Sequence, residues 1–193
     1  VFTSIMKLSG SYQINLEKQK VWEALNKPEI LKKCIPGCEE FKKNSETEFT
    51  AKATNKIGPF NASFTGDIEI KDLNPPNSYK ILGSGNSPVG FANGEALVKL
   101  EDLDGGTKLT YSVEANVGGK IAQVGSRLID MTAKKMADIF FGKFSELIVE
   151  KKTTEQLEKE IKEEVPREKK EKNKIAIIFS LLIIIGITIY YFS

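Results

Sequence analysis

The feature that most constrains this chain is a long uncharged run near its end, residues 175–192. The run contains no proline, and twelve of its residues are Ile, Leu or Phe. As a helix it would be roughly 27 Å long, close to the ~30 Å hydrocarbon core of a bilayer. Its Ile, Leu and Phe residues favour insertion by roughly 4 to 7 kcal/mol. The alternative, a buried core helix, is usually shorter and keeps a polar edge. The run therefore predicts a single C-terminal transmembrane helix.

The residues that flank this run predict its orientation. Tyr190 and Tyr191 lie where an interfacial aromatic belt would be, and only Ser193 follows the run. The other end is crowded by four lysines, Lys169, Lys170, Lys172 and Lys174. Because positively charged flanks stay on the cytoplasmic side, we expect a single-pass protein of the cell membrane. Its anchor is C-terminal and its main domain lies on the cytoplasmic side.

The distribution of charge divides the rest of the chain into a domain and a linker. The chain has 28 Lys and Arg against 26 Asp and Glu, and residues 151–174 hold nine and seven of these. Residues 1–150 are therefore neutral and offer no electrostatic footprint for nucleic acid. We predict one domain over 6–149, a charged linker over 150–174 that serves as a solvated tether, and the anchor over 175–192.

The absence of histidine excludes several kinds of site. Ser-His and Cys-His nucleophile pairs and His-ligated zinc all need a residue that this sequence lacks. The two cysteines, Cys34 and Cys38, are too few for a disulfide scaffold and have no further partner for a metal. Their spacing favours a structural turn with packed thiols, and a partner surface is the alternative interpretation. We predict no metal site and no catalytic residue.

Hydrophobic periodicity predicts an α+β fold. Alternating apolar residues predict strands at 7–15, 49–57, 60–70, 79–85, 90–100 and 107–117. Two short helices, 16–26 and 28–33, follow the first strand, and a long apolar helical stripe covers 120–149. Short turns between successive strands favour an antiparallel sheet, and its apolar face must be covered. We therefore predict a curved antiparallel sheet wrapped round a long C-terminal helix.

The inward strand positions are unusually small. They are Ala51, Ala53, Ala62, Gly66, Ala92, Gly94, Ala96 and Ala115. Such residues either let the helix lie close to the sheet or leave a hollow, and the pattern leaves both interpretations open. Two polar motifs carry less. Asp67 and Glu69 share the polar face of one strand and favour solvated surface, and the glycines at 83, 85 and 90 do not have the spacing of a dinucleotide loop.

Four segments resemble one known family. They are CIPGCE at 34–39, KIGPF at 56–60, GFANG at 90–94 and VGGKIAQVGSRLID at 117–130. These segments resemble the CoxG family of carbon monoxide dehydrogenase components, of the START-like or Bet v 1-like helix-grip superfamily, over residues 6–149. The resemblance implies a helix-grip fold with an internal hydrophobic cavity. It also implies an accessory protein that holds a molybdenum hydroxylase at the membrane and passes its electrons towards quinone.

A hydrophobic cavity is the first candidate site. Its predicted lining is Phe60, Phe64, Phe91, Leu97, Tyr111, Val113, Val124, Leu128 and Met131. A prenylated quinone suits such a pocket because apolar area supplies affinity and a few polar groups orient the head. The alternative is a filled core. No covalent cofactor is expected.

The start of the long helix carries the second candidate site. Lys120, Gln123 and Arg127 are spaced i, i+3 and i+7, which places them on one polar stripe of a helix. Solvent exposure is the simplest interpretation, and docking of an enzyme partner is the sharper one.

Together these features predict a non-catalytic, membrane-anchored accessory protein. It would recruit a hydroxylase of the carbon monoxide dehydrogenase type and hold a lipophilic quinone as electron acceptor. Two alternatives stay open: a carrier of lipid or another hydrophobic ligand without a hydroxylase, and a helix-grip enzyme of the hydrolase or cyclase kind.

Overall fold

The computed structural model describes residues 3–149, which form one antiparallel sheet with helices. The elements are β1 (Thr3–Ile14), α1 (Lys18–Leu25), α2 (Pro28–Cys34), β2 (Cys38–Lys43), β3 (Glu48–Ile57), β4 (Phe60–Asn74), β5 (Ser78–Ser87), β6 (Gly90–Leu103), β7 (Gly106–Gly118), a 3₁₀ helix (Lys120–Val124) and α3 (126–149). The strand order is β1-β7-β6-β5-β4-β3-β2, so β1 and β2 form the two edges. The predicted α+β fold, a sheet that packs on a C-terminal helix, is confirmed.

The predicted linker (150–174) and anchor (175–192) lie outside the described residues. Within residues 3–149, no helix is both long enough and apolar enough to cross a membrane.

Two predicted element boundaries were wrong. Strand β2 was not predicted, because four of its six residues are charged and no apolar alternation shows in the sequence. The long helix does not begin at Lys120. Gly125 adopts a left-handed φ of 86° between the 3₁₀ helix and α3. The backbone N–H of Ile121 also donates to the Val89 carbonyl oxygen at 2.9 Å, which ties the 3₁₀ helix to the β5–β6 turn.

One half of the molecule has a filled core. Buried side chains from α1, α2, five strands and α3 meet there: Ile14, Leu16, Val21, Trp22, Ala24, Leu25, Ile30, Cys34, Tyr79, Val98, Leu100, Leu109, Tyr111, Phe144 and Ile148. The Trp22 and Tyr79 rings meet edge to face with centroids 5.4 Å apart. The buried Thr107 hydroxyl donates to the Leu16 carbonyl oxygen at 2.6 Å, which satisfies a polar group that would otherwise be costly to bury.

A short hydrogen bond joins α3 to the edge strand β1. The Tyr12 hydroxyl donates to Oδ1 of Asp138 at 2.5 Å, and the Tyr12 ring stacks on Phe141 at 4.4 Å. Burial and this hydrogen bond raise the pKa of the Tyr12 phenol. The same bond, with help from Lys134, lowers the pKa of the Asp138 carboxyl. The contact therefore stabilises an ionised carboxylate in the folded state.

The link between Tyr12 and Asp138 predicts a pH-dependent stability. A carboxyl whose pKa is lowered by folding stabilises the protein above its unfolded pKa of about 4, and this contribution is lost as pH falls through the folded pKa. Asp138→Asn should therefore lower the free energy of unfolding near pH 7, and its deficit relative to wild type should shrink towards pH 3. Denaturant titrations at both pH values measure this. Asp104→Asn, at an exposed residue with no side-chain partner in 3–149, should be nearly neutral at both. An Asp138→Asn deficit that is constant across pH would contradict the prediction.

Candidate ligand-binding site

The other half of the molecule contains a cleft of about 310 Å³. It lies between the sheet, the 3₁₀ helix and the first turns of α3. Its lining is almost entirely apolar: Met6, Ala53, Asn55, Ile57, Phe64, Gly85, Phe91, Ala92, Ala115, Val117, Ile121, Ile129, Thr132, Ala133 and Met136. Ligand pockets typically have about 300–1,000 Å³, so this cleft is at the small end of that range.

Small residues on both layers keep this half hollow. In the sheet, Gly85 on β5 pairs with Ala92 on β6, and a Cβ built on Gly85 would meet only the Ala92 carbonyl oxygen, 4.0 Å away. On α3, Ala133 and Thr132 face this side of the sheet. Neither layer has a side chain long enough to fill the gap. Of the two interpretations of the small inward residues, the hollow is therefore the one found at this end.

Asn55 and Thr132 are the polar side chains in the lining. The Asn55 side chain donates one Nδ2 hydrogen to the Pro36 carbonyl oxygen at 3.0 Å. Because a primary amide has two such hydrogens, one is left for a ligand. The Thr132 hydroxyl donates to the Leu128 carbonyl oxygen at 2.8 Å, so its hydrogen is already used. Sequence reasoning placed Asn55 on the inward face but missed it as a site residue. The signal was a polar side chain between the inward residues Ala53 and Ile57.

The predicted lining residues divide between the cleft and its surroundings. Phe64 and Phe91 line the cleft. Val124 packs beside the lining residues at its edge, and Val124 and Leu128 lie against the β3–β4 turn at Gly58. Phe60 pairs with Ile57 in that turn and lies outside the cleft.

Four other predicted lining residues lie elsewhere. Tyr111 and Val113 belong to the filled core of the other half. Leu97 is 39% exposed, because it alternates with the inward residues of β6 and so points out of the opposite sheet face. Met131 is 60% exposed, because it lies on the face of α3 turned away from the sheet. The prediction that Leu97 and Met131 line the cavity was therefore wrong.

Lys120, Gln123 and Arg127 are all exposed, but they do not share one helical stripe. Lys120 and Gln123 belong to the 3₁₀ helix, whereas Arg127 belongs to α3 beyond the break at Gly125. Their docking to a partner enzyme stays a prediction.

The cysteines and carboxylates outside the cleft have structural surroundings. Cys34 is fully buried, and burial raises the pKa of its thiol to about 11. The Cys38 thiol donates to the Glu40 carbonyl oxygen at 3.3 Å. Asp67 accepts from the Thr50 hydroxyl at 3.1 Å, and Glu69 pairs with Lys71 at 3.2 Å. No cluster of three or more metal-ligating Cys, Asp or Glu side chains occurs in residues 3–149.

Comparison with known proteins places this geometry among relatives. The family model of the carbon monoxide dehydrogenase component CoxG matches residues 10–149. A conserved protein from Geobacillus kaustophilus is 34% identical, with a TM-score of 0.72 over 75% of this chain and 96% of its own. No curated protein matches the sequence.

More distant structures share the helix-grip fold. The Zhui aromatase/cyclase from Streptomyces sp. R1128 is 11% identical with a TM-score of 0.56, over 75% of this chain and 94% of its own. Ara h 8.0201 is 15% identical with a TM-score of 0.55, over 76% and 99%. At these identities the likeness shows the fold alone. Because these crystallised chains consist almost wholly of the matched domain, the domain folds without a C-terminal extension of this length.

Proposed function

This chain belongs to the CoxG family of carbon monoxide dehydrogenase components, and from that membership we propose a non-catalytic accessory role beside a molybdenum hydroxylase. In this proposal the protein recruits the enzyme to the membrane and binds a lipophilic quinone that accepts its electrons. The observation that carries the ligand part is the apolar cleft of about 310 Å³.

The chemistry of the cleft suits a quinone head and the first part of its tail. Apolar walls from Phe64, Ile121 and Ile129 would contact the ring and tail, at about 25 cal/mol per Å² of buried apolar area. The free Nδ2 hydrogen of Asn55 would donate to a quinone carbonyl oxygen. The rest of a long isoprenoid tail would extend beyond a cleft of this size.

Membrane association is supported by sequence. The uncharged run over 175–192 would anchor the protein, and the charged linker over 150–174 would tether the domain. A tether keeps the domain at an effective concentration of order mM near the lipid surface. The hydroxylase partner is inferred from the family alone.

The second candidate is an enzyme, because one neighbour with this fold is an aromatase/cyclase. In this chain the polar groups of the cleft are an amide and a hydroxyl whose hydrogen is already donated. Neither is a proton donor or acceptor of the kind that general acid–base catalysis uses. We therefore favour binding without chemistry.

The direct test is lipid extraction with native mass spectrometry of the full chain purified from its own membranes. The proposal expects a quinone at about one per chain and co-purification of a molybdenum hydroxylase. A ligand-free protein from quinone-containing membranes would contradict the ligand part. A different bound lipid, with no hydroxylase, would favour the carrier alternative.

Asn55→Leu tests whether the amide orients the ligand. Losing one hydrogen bond should weaken quinone binding by about two- to tenfold, with binding of an isoprenoid hydrocarbon unchanged. Fluorescence-quenching titrations with both ligands measure this. Asn93→Leu, an equal change at an exposed position of β6, is the matched control. Equal losses for both ligands would show a steric effect in place of a hydrogen bond.

A further inference from the structure

Three segments at one end of the molecule contain no acidic residue. They are 56–60 around the β3–β4 turn, 87–91 around the β5–β6 turn, and 119–127 around the 3₁₀ helix. We call this surface the hairpin end. The segments lie together, since Val124 contacts Gly58 and the Ile121 amide bonds to Val89.

The hairpin end carries three uncompensated cations. Lys56, Lys120 and Arg127 are exposed, and none of them makes an ion pair with a residue in 3–149. The nearest acid in sequence is Asp130, whose Oδ1 is buried. Three cations that face solvent with no acid between them form a positive surface.

Exposed apolar groups accompany these cations. Pro59 and Pro88 are exposed at the tips of the two turns. Ile5 is 65% exposed at the start of β1, which pairs beside the end of β7. A hollow of about 290 Å³, lined in part by Pro88, Phe91 and Lys120, lies between the β5–β6 turn and the 3₁₀ helix.

The turns at the opposite end have the reverse charge. The β2–β3, β4–β5 and β6–β7 turns carry, in the turn or in the strand just before it, exposed Glu46, Asp72, Asp102 and Asp104. Asp102 pairs with Lys18 and Asp72 with Lys80, while no basic residue lies in the turns themselves. The domain is therefore polarised along its strands, with a total charge near zero. Such a charge distribution orients a molecule at a charged surface even when it supplies little net attraction.

We propose that the hairpin end docks on an anionic phospholipid bilayer. Cations paired with apolar tips suit a headgroup layer, where Lys and Arg meet phosphate and apolar side chains enter the acyl boundary. An acidic protein surface would match the cations but would gain less from Ile5, Pro59 and Pro88. Ile57, Phe91 and Ile121 belong to this end and also line the cleft. Docking thus brings the cleft next to the source of a lipophilic ligand. This last step rests on the proposed function, whereas docking itself does not.

Vesicle co-sedimentation of residues 1–149 tests the proposal, because the domain folds without the tail and the predicted anchor cannot contribute. Vesicles of phosphatidylglycerol with phosphatidylcholine are compared with phosphatidylcholine alone, without quinone or enzyme. The test variant combines Lys56→Gln, Lys120→Gln and Arg127→Gln. The matched control combines Lys27→Gln, Lys42→Gln and Lys99→Gln, which are exposed lysines without ion pairs in 3–149. Thermal unfolding by circular dichroism verifies that each variant folds.

The proposal expects binding to the anionic vesicles only. The test variant should bind roughly a hundredfold more weakly, and the control by less than about threefold. Raising salt from about 0.1 M to about 1 M shortens the screening length from about 10 Å to about 3 Å and should release the protein. Absent binding, or equal losses in both variants, would overturn the proposal. So would a test variant that keeps vesicle binding but no longer captures the hydroxylase, since the hairpin end would then dock protein. Quinone binding is measured separately, so docking can fail while the proposed function stands.

Discussion

Gly85→Leu is expected to abolish ligand binding while leaving the domain folded. A side chain at Gly85 projects from β5 into the cleft, where its Cβ meets nothing closer than 4.0 Å. The leucine therefore occupies space that the ligand needs. If it displaces about 100 Å² of apolar contact, the loss is about 2.5 kcal/mol, or roughly 70-fold in affinity. Quinone titration followed by intrinsic fluorescence measures the change.

The adjacent position provides a matched control for this substitution. Ser84 lies on the same strand and is exposed on the opposite face of the sheet. Ser84→Leu adds a similar hydrophobic side chain without entering the cleft, so its ligand affinity should equal that of the wild type. The melting temperature of Gly85→Leu should not fall, because the new side chain fills a hollow. Unchanged affinity in Gly85→Leu would show that the ligand binds elsewhere.

Phe144→Ala is expected to have the largest effect on stability. Its ring is 0% exposed at the centre of the filled core and stacks on Phe140 with the two planes 6° apart. Removing a buried aromatic ring loses its transfer free energy and leaves a cavity, which together cost about 3–5 kcal/mol. For a domain of this size the melting temperature should fall by roughly 10 °C. Differential scanning calorimetry of both proteins measures this.

The control for Phe144 comes from the outer face of the same helix. Met131→Ala should change the free energy of unfolding by less than about 0.5 kcal/mol, because Met131 is 60% exposed. Both substitutions shorten a hydrophobic side chain on α3, so helix propensity alone cannot explain a difference between them. A large loss in Met131→Ala would mean that this face of α3 is covered in solution.

The sheet was predictable from the sequence because period-two alternation leaves a strong signal. Along β4, Ala62, Phe64 and Gly66 alternate with polar residues, and these residues do face inwards. Leu97 shows the limit of this reasoning. It was placed in the lining for its hydrophobicity, although its neighbours Ala96 and Val98 already occupied the inward positions of β6.

The cleft was less predictable because it depends on how two layers meet. Small inward residues occur along much of the sheet, yet the half that packs against Trp22 and Phe144 is filled. Whether a small residue leaves a hollow depends on the helix opposite it, and sequence periodicity does not align the two layers. The break at Gly125 was also hidden, since a glycine in a helical pattern is compatible with a continuous helix. Its left-handed φ is what ends the 3₁₀ helix.

The filled half and the hollow half of one continuous sheet have a consequence for adaptation. Residues around Phe144 and Leu109 determine how firmly the domain stays folded, whereas residues around Gly85 and Ala92 determine what fits inside it. Because distant substitutions usually act additively on stability, selection can alter the shape of the cleft while the reserve of stability stays in the other half. Relatives with this scaffold can therefore diverge in cargo and still share one architecture.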